Sequence, residues 1–251
     1  MSAPQARPAA SRADAGAGAR IAIALDGLGA RAALQLADDI GDPGRLYKIG
    51  PALFTEDGPN VIAALRDRGK QVFLDLKFHD IPQTVASAVA EAARHGVTLL
   101  TLHASGGRAM LRAARAAITP GPAAPRLLAV TVLTSLDAAL LHEALEPADA
   151  QPAALALRLA RLARAEAIDG IVCSPLEARA LRAALGPEAL LVTPGIRARG
   201  GAADDQRRTL TAAEAIAEGA DILVVGRPIV AAPSPRDAFL AFAAEVEAAA
   251  P

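Results

Sequence analysis

The sequence predicts a single-domain (β/α)₈ barrel, and three observations carry that prediction. From residue 21 onward, eight short apolar runs alternate with eight Ala-, Leu- and Arg-rich stretches of helical period. A polar, ionisable or glycine residue follows each run, where a barrel of this class keeps its active site. The turn after the first run, ALDGLGARAA, matches GxGxxG only in part, so a doubly wound nucleotide-binding sheet is the weaker reading.

The strands expected in order are IAIAL (21–25), LYKI (46–49), QVFLDL (71–76), VTLLTL (97–102), RLLAVTV (126–132), GIVC (170–173), ALLVT (189–193) and DILVV (221–225). Helices of amphipathic period are expected at 30–40, 58–69, 83–95, 106–117, 137–145 with 152–166, 175–185, 211–219 and 235–249. Pro82 suits the first turn of its helix, where a missing amide hydrogen costs nothing. Residues 1–20 read as a disordered tail rich in Ala, Pro and Arg, and 21–251 as the barrel domain.

Composition narrows the function. Net charge is -1 without long like-charge runs, and aromatics are 2% with no Trp, so neither nucleic acid nor an anionic membrane is an expected partner. The single Cys173 precludes an internal disulfide and fits a reducing compartment. No apolar run approaches the ~18 residues of a membrane helix, and the first residues lack the apolar segment of a secretory signal. A cytoplasmic protein is the expectation. Lysine occurs only at Lys48, Lys70 and Lys77, against 23 arginines among the 26 basic residues. A chain that uses Arg for its generic cations makes any Lys a candidate for proton chemistry.

Two of the three lysines fall at strand ends. Taken in order, those ends carry Asp26, Lys48, Asp75 with Lys77, His103, Thr134 with Ser135, Ser174, Gly195 with Arg197, and Gly226 with Arg227. In an extended segment Asp75 and Lys77 share a face, and Lys48 on the neighbouring strand is placed to reach Asp75. With Asp80 this makes an alternating Lys–Asp–Lys–Asp array, a pattern that keeps several charges ionised in a dry pocket. A structural ion-pair network is the bland alternative, but such networks contribute little net stability. A Schiff-base lysine fits poorly beside two carboxylates, and a metal held by Asp75 and Asp80 lacks a convincing His–carboxylate partner set. An ammonium that stabilises and protonates a carbanion fits best.

The last two loops suggest a phosphate site, as is common after strands 7 and 8 of these barrels. TPGIRARGGAADDQRR (193–208) supplies Arg197 and Gln206, and VVGRP supplies Gly226 and Arg227. A glycine lets the backbone approach a ligand, and a guanidinium grips phosphate through two hydrogen bonds.

The segment DLKFHDIPQT resembles the DxKxxDIxxT signature of the orotidine 5′-monophosphate decarboxylases, at Asp75, Lys77, Asp80, Ile81 and Thr84. ALD (24–26), KIG (48–50), HASGG (103–107), VTVLTS (130–135), TPGIR (193–197), DQRR (205–208) and VGRP (225–228) extend the resemblance through most of 21–230. The departures are Gln83, Ala198 and Ala212, none at a proposed catalytic group. The resemblance implies a homodimer of barrels with shared active sites. The implied reaction converts orotidine 5′-monophosphate to UMP and CO₂, the last step of de novo UMP synthesis, without metal or cofactor. It casts Lys77 as proton donor, Asp75 and Lys48 as its charge partners, and Asp80 as the acid given to the other subunit with Ile81 and Thr84. Asp26 and Lys48 would hold the ribose, Thr134 or Ser135 the pyrimidine, and Gln206, Gly226 and Arg227, with Arg197, the phosphate. Phosphate binding would close the loop 195–207. The rivals are a metal-dependent sugar-phosphate decarboxylase or aldolase of the same superfamily and a barrel that only binds a phosphorylated ligand.

Overall fold

Strands that alternate inward and outward along a closed sheet need two apolar faces, one for the barrel interior and one for the helices outside. The chain supplies both. A computed structural model describes residues 16–145, 151–197 and 209–249. In chain order its strands are β1 (Ile21–Ala24), β2 (Leu46–Ile49), β3 (Gln71–Phe78), β4 (Leu99–His103), β5 (Arg126–Val130), β6 (Gly170–Val172), β7 (Leu190–Thr193), β8 (Ile196–Arg197), β9 (Leu210–Thr211) and β10 (Ile222–Val225). Eight of them close a parallel barrel in the order β1-β10-β7-β6-β5-β4-β3-β2, while β8 and β9 pair with each other.

Inside lies a small apolar cluster of Ala22, Ala24, Leu46, Phe73, Leu99, Leu128, Leu190, Val192 and Val224. The alternate positions, among them Ile21, Ile23, Tyr47, Ile49, Val72, Leu74, Leu100 and Leu102, face the much larger layer under the helices. Each fully buried Leu or Ile there stabilises the fold by roughly 1.5–3 kcal/mol before entropy is counted. Gly170 is required on β6: an added Cβ would stand 2.5 Å from the Leu190 carbonyl oxygen.

The helices are α1 (Ala30–Ile40), α2 (Pro51–Asp57), α3 (Pro59–Asp67), α4 (Pro82–Arg94), α5 (Gly107–Ala116), α6 (Ala138–Leu145), α7 (Pro152–Ala165), α8 (Ala178–Leu185), α9 (Ala212–Ala217), α10 (Arg227–Val230) and α11 (Pro235–Ala249). Two short ones were not expected. α2 precedes the expected 58–69 helix, and Gly58, at φ 60°, turns the chain from α2 into α3. α10 sits immediately after β10, so Gly226 and Arg227 open a helical turn. The expected 175–185 helix divides into a 3₁₀ turn, Pro175–Glu177, and α8, with Ser174 and Glu177 forming a capping box. β5 ends at Val130, two residues short of the expected run, while β3 extends to Phe78.

Residues 1–15 of the expected tail lie outside the described residues. Its last four, Ala17–Arg20, form a 3₁₀ turn, and Arg20 is buried with its guanidinium donating to the carbonyls of Ala220 and Asp221. Among the described residues no helix is long and apolar enough to cross a membrane.

Candidate active site

Toward the carboxyl ends of the strands, the inward-facing series changes character on one side only. On β2, β3 and β4 it ends in Lys48, Asp75 and Thr101, all buried, whereas β5, β6 and β10 end in Val130, Val172 and Val224. Lys48 Nζ lies 2.8 and 3.0 Å from the two carboxylate oxygens of Asp26 and 3.4 Å from Asp75 Oδ2. Lys77 Nζ donates to the same Asp75 Oδ2 at 2.9 Å, and Thr101 Oγ1 donates to Asp75 Oδ1 at 2.9 Å. Within one chain the alternating array is therefore Asp26–Lys48–Asp75–Lys77. Asp80, expected as its fourth member from spacing, does not join it: it is exposed, and its Oδ1 accepts the Ile81 amide at 2.6 Å.

Lys77 reaches its place by a different route from the plain pleat that i, i+2 spacing suggests. Leu74 pairs with Leu100 and Phe78 with Leu102, so β3 takes four steps where β4 takes two. The surplus is a bulge, a device that re-aims side chains beside active sites. Lys77 sits in it at φ 50°, a left-handed conformation that costs a non-glycine residue roughly 1–2 kcal/mol.

Burial by itself would raise the Asp75 carboxyl. The charges of Lys48 and Lys77, with the hydrogen bonds from Lys77 and Thr101, outweigh that and hold it below the usual carboxylate range. Asp75 thus stays ionised in a nearly dry site. His103 ends β4 half-buried, its ring centroid 5.2 Å from that of His79. Burial first, then the nearby charges of His79 and Lys77, lowers its imidazole from the ordinary value and favours the neutral form.

The array opens into a cavity of about 600 Å³. Asp26, Lys48, Asp75 and Lys77 line it together with Thr134, Ser135, Arg197, Gly226 and Arg227. Arg197 is held by the β8–β9 pairing, and its Nε and one terminal nitrogen are buried without a hydrogen-bond partner among the described residues. A buried guanidinium in that state has donors ready for an anion to accept. Gln206 lies outside the described residues, as does most of the loop 195–207. Asp80, Ile81 and Thr84 are exposed around the start of α4 and do not line the cavity of their own chain, Ile81 being 66% exposed. Cys173, expected as core, is buried and borders the cavity.

Gly50, the last residue of KIG, leaves the space that Asp26 occupies, since an added Cβ would lie against Asp26 Oδ1. One residue of the site escaped the reading by motif. Thr101 is the buried hydroxyl beneath Asp75. Strand alternation placed it on the inward face with Leu99 and His103, and a lone hydroxyl there was the available signal.

The comparisons bear on the whole barrel. The family model described as orotidine 5′-phosphate decarboxylase / HUMPS family matches residues 19–242. A protein of Nitrosococcus oceani named orotidine 5′-phosphate decarboxylase is 49% identical over 227 residues, covering 90% of this chain and 97% of its own. One of Chromohalobacter salexigens with the same name is 51% identical over 214 residues, covering 85% and 89%. The crystal structure of orotidine 5′-phosphate decarboxylase from Lactobacillus acidophilus superposes with a TM-score of 0.80 at 36% identity, covering 90% of this chain and 98% of that one. With its model matched over nearly the whole barrel and relatives about half identical along most of their length, the chain belongs to the orotidine 5′-phosphate decarboxylase / HUMPS family.

Proposed function

We propose that the protein converts orotidine 5′-monophosphate to UMP and CO₂, acting in the cytoplasm as a homodimer with shared active sites and without metal or cofactor. The observation that carries this reading is the ionised Asp75 clamped between Lys48 and Lys77 in a cavity that Arg197 also lines, with two of its guanidinium nitrogens unpaired among the described residues. The phosphate binds at Arg197, Gly226 and Arg227, with Gln206 from the loop. The ribose hydroxyls meet Asp26 and Lys48, and the pyrimidine lies against Thr134 or Ser135.

In the chemical step the bond from the ring carbon to the carboxylate breaks and its electron pair stays on the carbon. CO₂ departs, and the Lys77 ammonium stabilises the developing carbanion before giving it a proton. Lys77 is left as a neutral amine and regains its proton from solvent. Asp75 holds the Lys77 ammonium in place beforehand, and Lys48 holds Asp75 from its other side. Such pre-placed charge lowers the barrier because nothing has to reorganise when the carbanion forms. Asp80, Ile81 and Thr84 complete the partner's site, a reading supported by their exposure and by their standing outside the lining of their own chain's cavity.

Loss of orotidylate absorbance, followed with EDTA present, tests the activity. Sustained turnover is expected; turnover that needs an added divalent metal favours the metal-dependent relatives, and none at all favours a binding barrel. The shared site is tested by mixing Lys77→Ala and Asp80→Ala proteins under subunit exchange. Partial recovery of activity is expected, and no recovery despite demonstrated exchange overturns it.

A further inference from the structure

We infer that Thr101 is a positioning residue: its hydroxyl locks the β3 bulge so that the Lys77 backbone and the Asp75 carboxylate are held as one unit. The inference rests on the decarboxylase reading above for its kinetic consequences, and on geometry for the rest. Thr101 is fully buried. It is the one β4 residue between Leu100 and Leu102, facing the three β3 residues Asp75, Leu76 and Lys77 that lie between Leu74 and Phe78. A regular ladder would set one residue there, so the surplus backbone must find its hydrogen bonds elsewhere.

Thr101 Oγ1 supplies one of them and ties it to a side chain of the bulge. It accepts the Lys77 amide hydrogen at 3.0 Å and donates its own proton to Asp75 Oδ1 at 2.9 Å. A hydroxyl has one proton and two lone pairs, so both bonds form together, and neither can run in reverse. The amide can only donate, and the ionised carboxylate can only accept. One oxygen atom thus joins the strained φ of Lys77 to the charge beside its ammonium. The other oxygen of Asp75 takes both lysines, so without Thr101 the carboxylate could rotate about its own axis and the half-buried Lys77 amide would lose its partner.

The test compares Thr101→Val, which keeps the shape and removes the hydroxyl, with Thr101→Ser, which keeps the hydroxyl. In the valine variant kcat should fall about 10- to 100-fold, the range for losing a hydrogen bond to a charged group, with KM changed less than about 3-fold. The acid limb of its kcat/KM profile should move to higher pH, because the carboxylate loses a bond that favours its ionised form. The serine variant should retain activity within about 3-fold and restore the acid limb. A valine variant with wild-type kcat per folded molecule and an unmoved acid limb overturns the inference, whatever its melting temperature. If the valine variant does not fold, Thr101→Cys takes its place, and wild-type activity from that weak donor overturns the inference equally. Titration of the Asp75 carboxyl carbon by NMR in the substrate-free protein reads the same coupling without turnover. An inactive wild type would therefore sink the decarboxylase reading and leave this one to be decided by that titration.

Discussion

The two ends of the barrel both bury carboxylates against cations, yet they do it with different chemistry. At the floor the cations are arginines. Arg182 lies 2.5 Å from Asp221 Oδ2, which also accepts the Leu191 amide at 2.7 Å, and the same guanidinium donates to the carbonyls of Gly186, Ala189 and Gly219. Asp169 Oδ2 takes Arg115 and the Leu127 amide at 3.0 and 2.9 Å. These groups stitch neighbouring strands and loops together through fixed, planar donors. At the mouth the cations around Asp75 are Lys48 and Lys77, compact ammoniums converging on one oxygen, and Arg197, which lines the same cavity, has donors with no protein partner among the described residues. Arginine serves where a charge must stay put; lysine serves where a proton must leave, which a guanidinium does not allow. Two of only three lysines stand at the mouth, and the proposed proton donor Lys77 is one of them.

The contrast breaks most sharply at Lys77. Lys77→Ala should lower kcat/KM by about 10⁴-fold while the thermal melt stays near wild type, since both charge stabilisation and the proton donor are lost. Lys77→Arg should recover little of it, because the charge returns without a transferable proton. Steady-state kinetics beside a melting curve decides both.

The floor should respond in the opposite sense. Asp221→Ala strips the partner from a mostly buried arginine and an amide, and should cost about 3 kcal/mol in urea unfolding. Activity per folded molecule should stay within about 2-fold. A floor variant that loses turnover without losing stability would erase the distinction between the two ends.

The smallest effect concerns pH. The folded-state pKa of Asp75 is depressed: burial opposes the shift, and the two lysines and Thr101 override it. Its stabilisation is therefore fully present above the ordinary carboxylate range and is lost as pH falls through its lower folded value. Unfolding free energies of wild type and Asp75→Asn should run parallel above about pH 4 and converge below it. Convergence at a higher pH instead would mean that the lysines do not dominate the site.

Much of this was legible in the chain. The alternation of apolar runs with helical stretches predicted the barrel, and strand ends located Asp26, Lys48, Asp75, Lys77, Arg197, Gly226 and Arg227, all of which line one cavity. Elements were missed where they are short: α2 and α10 have too few turns for a period to show. Spacing put Asp80 in the array while the resemblance assigned it to the other subunit, and in the single chain Asp80 is exposed and outside the array.

What the sequence by itself determined is the inventory and the order. Local periodicity depends on neighbours a few residues away, so the strands, the rim they end on and the scarcity of lysine could all be read directly. Only the tertiary structure decided that Asp26, 22 residues from Lys48, is its close partner, and that Thr101, 26 residues from Asp75, completes the clamp. It also decided that β3 bulges to bring Lys77 round. Register between strands and a left-handed residue are set by what packs on the other side, and no repeat along one strand records them.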